Sequence, residues 1–141
     1  YMMCGIGPAK EELEQYVKEH NLEKNIQFVG FRSDVQEILQ CADCFVLSSF
    51  REGLSVALME AMAEGLPVVC SRIRGNVDLV KDGEGGYLVT PEEDGEYEEA
   101  FAKLFESKTN KPEQLKKMGE QNRQKIRQFS EGYVQRYYSG V

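Results

Sequence analysis

The alternation of short apolar runs with longer amphipathic stretches constrains this chain most. Met2 to Cys4, Ile26 to Val29, Cys44 to Leu47, Pro67 to Cys70 and Gly86 to Val89 are brief, apolar and bounded by Gly, Asn, Asp or Ser, as strands are. Between them, Lys10 to His20 places Leu13, Tyr16 and Val17 at helical spacing, and Asp34 to Gln40 does the same with Val35, Ile38 and Leu39. Strand and helix in turn predict an α/β fold built on a doubly wound parallel sheet, with the strands buried on both faces. Ser33 reads as the N-cap of the second helix, and Gly65 followed by Pro67 as the stop of a helix from Val56 to Glu64. Beyond Val89 the chain turns helical and charged. There Tyr97, Phe101, Leu104 and Phe105 form one stripe, Leu115, Met118 and Phe129 contribute to another, and the Lys, Glu and Gln between them read as a solvated face.

A length of 141 residues with 41% hydrophobic content suits one compact domain, for which ~100 to 150 residues is the commonest size. The net charge of −7, with no basic cluster longer than Lys116-Lys117, argues against nucleic acid as a partner. No apolar run approaches the ~20 residues that span a bilayer, and no basic-then-apolar leader opens the chain, so the expected location is cytoplasmic. Of the four cysteines, Cys41 ends a helix and Cys44 begins a strand, while Cys4 and Cys70 stand in apolar runs. A zinc site would need further ligands where His20 is the only histidine, so the thiols read as small hydrophobes and no metal is expected. The opening Tyr1-Met2-Met3-Cys4-Gly5 reads as a start inside a strand, with part of the same domain expected upstream.

The stretch from Ser48 to Pro67 is the most informative. It leaves a strand, turns, and enters a helix whose residues from Val56 to Ala63 are apolar except Glu60. A carboxylate inside such a helix is costly unless hydrogen-bonded, ion-paired or neutralised. A ribose, with two adjacent hydroxyls, would satisfy both its oxygens; a structural cap or a buried arginine pair is the plainer alternative. Gly53, Leu54 and Ser55 stand where the first helical amides lack internal partners, a ready site for phosphate, although Ser55 equally reads as a simple N-cap. A second glycine turn, Gly5-Ile6-Gly7-Pro8, follows the first strand without the complete dinucleotide fingerprint. The acidic residue expected ~20 residues beyond such a turn has no convincing counterpart, Asn25 and Gln27 flanking the start of the next strand, which disfavours a nicotinamide cofactor.

These landmarks resemble glycosyltransferase family 4, of the two-domain GT-B architecture. They run in order through Gly5-Ile6-Gly7-Pro8, Val29-Gly30-Phe31, Ala42 to Ser49, Glu52 and Glu60 with seven residues between them, Gly65-Leu66-Pro67-Val68-Val69, and Asp82 to Val89. The resemblance covers Cys4 to Val89 and implies a Rossmann-like fold, residues 1–141 being the nucleotide-sugar-binding, C-terminal GT-B domain of a retaining transferase. By the same resemblance Glu52 lies against the donor sugar as the catalytic residue, orienting and stabilising it without acting as a nucleophile, and Glu60 binds the nucleotide ribose. Gly53, Leu54 and Ser55 would receive sugar hydroxyls or diphosphate through their amides. Gly7 and the turn of Gly30, Phe31 and Arg32 would line the donor, Arg32 mainly through its backbone.

Two features depart from that pattern. Asp78 stands where a glutamate is common, and Ile73-Arg74-Gly75-Asn76 resembles bacterial enzymes that build capsular or exported polysaccharide from UDP-sugars. The family's diphosphate-neutralising arginine and lysine, and the acceptor-binding N-terminal domain, would precede Tyr1. The implied partners are a nucleotide-sugar donor and a saccharide or lipid-linked acceptor reached through that domain, with peripheral membrane contact of the full-length enzyme. No cofactor or metal is implied, and this stretch alone is expected to be inactive. A nucleotide-sugar epimerase on the same architecture and an inactive nucleotide-binding module are the rival readings; the Arg51-Glu52-Gly53 context speaks against the first, and the presence of both glutamates against the second.

Overall fold

The computed structural model describes residues 1–51 and 53–139, the side chains of residues 133–139 excepted. It divides into two compact units, Tyr1–Val35 and Gln36–Val141.

In the first unit β1 (Met2–Cys4) and β2 (Gln27–Gly30) pair in parallel, joined by helix α1 (Lys10–Glu19). The register shifts between Met3 and Cys4, bringing Cys4 opposite Gly30, where the Gly5 amide donates to the Gly30 carbonyl at 2.7 Å. Glu11 and Glu12 lie in the first turn of α1 and Lys18 in its last, charges that complement the helix dipole. Only Val17 of the expected apolar stripe is buried. Leu13 and Tyr16 are exposed, and Tyr16 instead stacks on His20 with ring centroids 4.0 Å apart.

Helix α2 (Val35–Cys41) leads into the second unit, a three-stranded parallel sheet ordered β3 (Phe45–Leu47), β4 (Val68–Ser71), β5 (Gly86–Val89). The helix follows Asp34 rather than Ser33, one residue later than the expected cap. Helix α3 (Val56–Ala63) connects β3 to β4. The short helix α4 (Asn76–Leu79) lies between β4 and β5, and α5 (Asp94–Asn110) and α6 (Pro112–Ser139) follow β5. Helix α3 stops as its glycine predicts: Gly65, at φ +76°, donates to the Met62 carbonyl and Leu66 to that of Ala61, the paired closure of a Schellman motif.

Strand β4 is the centre of this unit, and side chains alternating along it feed two cores. Val68 and Cys70 join Leu58 and Met62 of α3, Leu79, Val80 and Leu88 in one, with Ile126 and Phe129 of α6 against them. Val69 joins Val89, Ala100 and Leu104 of α5 and Met118 in the other. Helices thus cover both faces of the sheet, the doubly wound arrangement the alternation predicts. Burial on both faces holds for β4 and, apart from half-buried Tyr87, for β5; β3 is half-buried and the ends of β1 are exposed. Phe105, expected in the buried stripe of α5, is 76% exposed, and Ala100, Leu104 and Ser107 form the buried face instead.

All four cysteines are free thiols. Loss of solvation pushes the Cys44 and Cys70 thiols up from 9.0 to about 12. The unfolded chain would ionise both first, so the stability they contribute is complete below pH 9.0 and declines as pH rises towards about 12. The expected result is a urea midpoint that falls more steeply above pH 9.0 in the native protein than in Cys44→Ala/Cys70→Ala. Parallel alkaline profiles would remove the thiols as its cause.

Candidate functional site

Parallel pairing decides which loops meet. Leu47 lies opposite Cys70, so the loops leaving the carboxyl ends of β3 and β4 emerge at one edge, where ligands gather in open parallel sheets. The Ser71 hydroxyl ties the two ends by donating to the Leu47 carbonyl at 3.3 Å. Asn76 secures the second loop by donating from Nδ2 to the Ser71 carbonyl at 2.9 Å; it is fully buried, and its Oδ1 has no hydrogen-bond partner. Between the loops lies a shallow depression of about 290 Å³ lined by Phe50, Arg51, Gly53, Ile73 and Arg74.

Ser55 is the N-cap of α3: its side chain is buried and accepts the Leu58 amide at 3.2 Å. That realises the plainer of its two sequence readings. Gly53 and Leu54 are exposed just before it. Glu52, the expected catalytic residue, lies outside the described residues.

Glu60 corrects the sequence-based argument for its role. It is exposed rather than buried, and its carboxylate has no hydrogen bond or ion pair among the described residues. Helix α3 buries only Leu58, Ala61 and Met62, one stripe at helical spacing, and turns Val56, Ala57, Glu60 and Ala63 outward. The cost of burying a charge therefore does not arise. What remains unusual is an exposed helix face that is apolar save for one carboxylate, where a solvated face ordinarily carries several charges.

The other candidates belong to the first unit. Gly7 lies in the turn after β1, where its carbonyl accepts the Lys10 amide at 3.3 Å. Phe31, after β2, is 77% exposed. Arg32 binds Asp34 through two hydrogen bonds, 2.8 and 2.6 Å long. The pair raises the guanidinium pKa and lowers that of the Asp34 carboxyl, so the Arg32 side chain is already engaged. A larger open hollow of about 440 Å³ in this unit has apolar walls from Val17, Ile26 and Phe28 beneath charged rims and holds none of the expected site residues. Among the described residues no group of His, Cys, Asp and Glu could hold a metal ion, and no helix is long and apolar enough to cross a membrane.

Sequence reasoning overlooked Arg51 and Arg74 as site residues. Each stood inside a motif singled out for its neighbours, and only the β3–β4 register places them in one lining.

The model of the family "Glycosyl transferases group 1" matches residues 1–125. EpsD of Bacillus subtilis (strain 168) is 32% identical over 130 residues, 92% of this chain and 33% of its own. The Escherichia coli UDP-Gal:alpha-D-GlcNAc-diphosphoundecaprenol alpha-1,3-galactosyltransferase is 38% identical over 90 residues, 63% of this chain and 23% of its own. The chain thus spans a third or less of the length of these relatives. Among solved structures, Anabaena HepE in complex with UDP superposes with a TM-score of 0.85 at 22% identity, over 99% of this chain and 40% of HepE. Its complex with UDP-glucose gives 0.78 at 26% identity, over 90% and 35%.

Proposed function

This chain belongs to the glycosyl transferases group 1 family, and from that premise we propose that it is the donor-binding domain, residues 1–141, of a retaining glycosyltransferase that takes a UDP-sugar. The observation that carries the reading is Glu60, a carboxylate without a partner among the described residues, on an otherwise apolar, exposed face of α3. Such a group gains most from a ligand that offers paired hydroxyl donors, as a ribose does. The names of the comparison proteins support the choice of base: one relative uses UDP-Gal, and HepE is seen with UDP and with UDP-glucose.

In this reading Glu60 accepts hydrogen bonds from the ribose hydroxyls, while the Gly53, Leu54 and Ser55 backbone meets the sugar or diphosphate. Glu52 lies against the sugar and stabilises charge that develops as the diphosphate leaves, an electrostatic role that needs no covalent intermediate. Gly7, Phe31 and Arg32 contribute the remaining donor contacts. The acceptor is a saccharide or a lipid-linked saccharide, and the product a polysaccharide or glycoconjugate; peripheral membrane contact and a cytoplasmic location fit that acceptor.

Titration with UDP, GDP, ADP and uridine, repeated on Glu60→Ala, tests the reading. UDP and uridine are expected to bind saturably and to weaken by ~10- to 100-fold in the variant, as loss of charge-assisted hydrogen bonds implies. Glu52→Ala should leave UDP affinity near that of the native protein and chiefly remove discrimination between UDP and UDP-sugar. A Glu60→Ala variant that binds UDP like the native protein would sink the assignment.

A further inference from the structure

Arginine is seldom left without a counter-charge in an acidic protein. Here the acidic side chains number 24 against 17 Lys and Arg. Arg32 pairs with Asp34, Arg72 with Asp82, and Arg123 with Glu120. Arg127 of α6 has no side-chain ion pair or hydrogen bond among the described residues, and neither have Arg51 and Arg74, both exposed. They come from different loops, after β3 and after β4, yet line the same depression.

Two like charges in one lining repel each other, and in a chain of net charge −7 nothing in folding requires them to be neighbours. An anion bound between them would relieve that repulsion and accept hydrogen bonds from two guanidinium forks, the geometry by which arginine recognises phosphate. The remaining lining suits a phosphate carried by an organic group. Phe50 and Ile73 provide apolar walls, Phe50 being 64% exposed, and Gly53 adds no side chain of its own to the lining.

The second loop is also held in place. Asn76 is fastened to Ser71, and Ser71 to the end of β3, so the residues next to Arg74 are fixed before any ligand arrives. A site whose supports are already ordered loses less entropy when it binds.

We propose that Arg51 and Arg74 form a phosphate-binding subsite of this domain, reading the charge of a phosphate-bearing substrate separately from the hydroxyl recognition assigned to Glu60. The inference rests on the transferase reading only for the source of the phosphate, either the diphosphate of the donor or that of a lipid-linked acceptor.

The test is a calorimetric titration at low salt with inorganic pyrophosphate, on the native protein and on Arg51→Gln/Arg74→Gln. Both positions are exposed and without a side-chain partner among the described residues, so the variant should melt like the native protein. Pyrophosphate is expected to bind the native protein and to weaken by about tenfold or more in the glutamine variant, with Arg51→Lys/Arg74→Lys in between. Raising the salt should weaken binding to the native protein more than to the glutamine variant.

Further arms identify the source. A variant that weakens UDP but not uridine assigns the phosphate to the donor. A variant that spares UDP but loses geranyl diphosphate binding to the UDP-saturated protein assigns it to the acceptor. Pyrophosphate and geranyl diphosphate binding equally to native and glutamine variant, or to neither, overturns the subsite. Uridine binding and its loss in Glu60→Ala test the donor reading independently, so either inference can fail alone.

Discussion

Gly86→Ala is expected to cost several kcal/mol and to leave much of the protein unfolded at ordinary temperature. Gly86 opens β5 directly opposite Val68 of the central strand. A Cβ built there would stand 1.8 Å from the Val68 carbonyl oxygen and 2.7 Å from its amide nitrogen. Both are backbone atoms, so no rotamer change relieves the clash; the strands would have to separate where they pair. The glycine also sits at φ +147°, a conformation that side chains carrying a Cβ rarely adopt. Against a total stability of about 5 to 15 kcal/mol for a domain, these two costs together are decisive. Urea denaturation followed by circular dichroism should show the midpoint lowered by ~1 M or more. Gly95→Ala is the control: it lies in α5 with nothing within 4 Å of the added carbon, and should be neutral or stabilising by up to ~1 kcal/mol. A Gly86→Ala midpoint equal to the native one would show that the strands are not so closely apposed.

Asn122→Ala should destabilise by about 2 to 3 kcal/mol, a large loss for one polar side chain. Its side chain, 2% exposed, donates from Nδ2 to the carbonyls of Leu66 and Gly85, both at 2.7 Å. Leu66 leads into β4 and Gly85 into β5, so one amide on α6 fastens the entries of two adjacent strands. The Gly85 carbonyl also receives the Val68 amide and would stay paired, whereas Leu66 would lose its acceptor's partner in a buried place. Asn122→Asp separates hydrogen bonding from packing. It keeps the volume but turns acceptor oxygens towards two carbonyls, so at neutral pH it should be less stable than Asn122→Ala. The buried carboxyl would have a raised pKa, and its proton could serve as a donor. Stability should therefore recover as pH falls towards the ordinary aspartate pKa of ~4. Alanine and aspartate variants of equal stability at neutral pH would assign the effect to the lost contacts alone.

The candidate site was legible in unequal parts. The run from Ser48 to Pro67 gave the Ser55 cap, helix α3 and its glycine stop correctly, because capping chemistry and the 3.6-residue repeat act within a few residues. The reasoning about Glu60 started from a burial that α3 does not impose. Apolar neighbours in sequence suggested burial, yet α3 buries only the stripe of Leu58, Ala61 and Met62, and composition does not say which side of a helix meets the core. Phe105 misled in the same way, an aromatic at helical spacing that the packing of α5 leaves outside.

From the sequence alone came the order of elements, the parallel α/β architecture and the motif series from Gly5 to Val89 that marks the family. These depend on local periodicity and on residue types whose conformational preferences travel with them. The tertiary structure alone decided that Arg51 and Arg74 share a lining, that Glu60 faces outward, and that Asn122 joins the entries of β4 and β5. Each of these is set by strand register or by which helix face meets the sheet, and so by contacts between residues far apart in the chain, which no local pattern encodes.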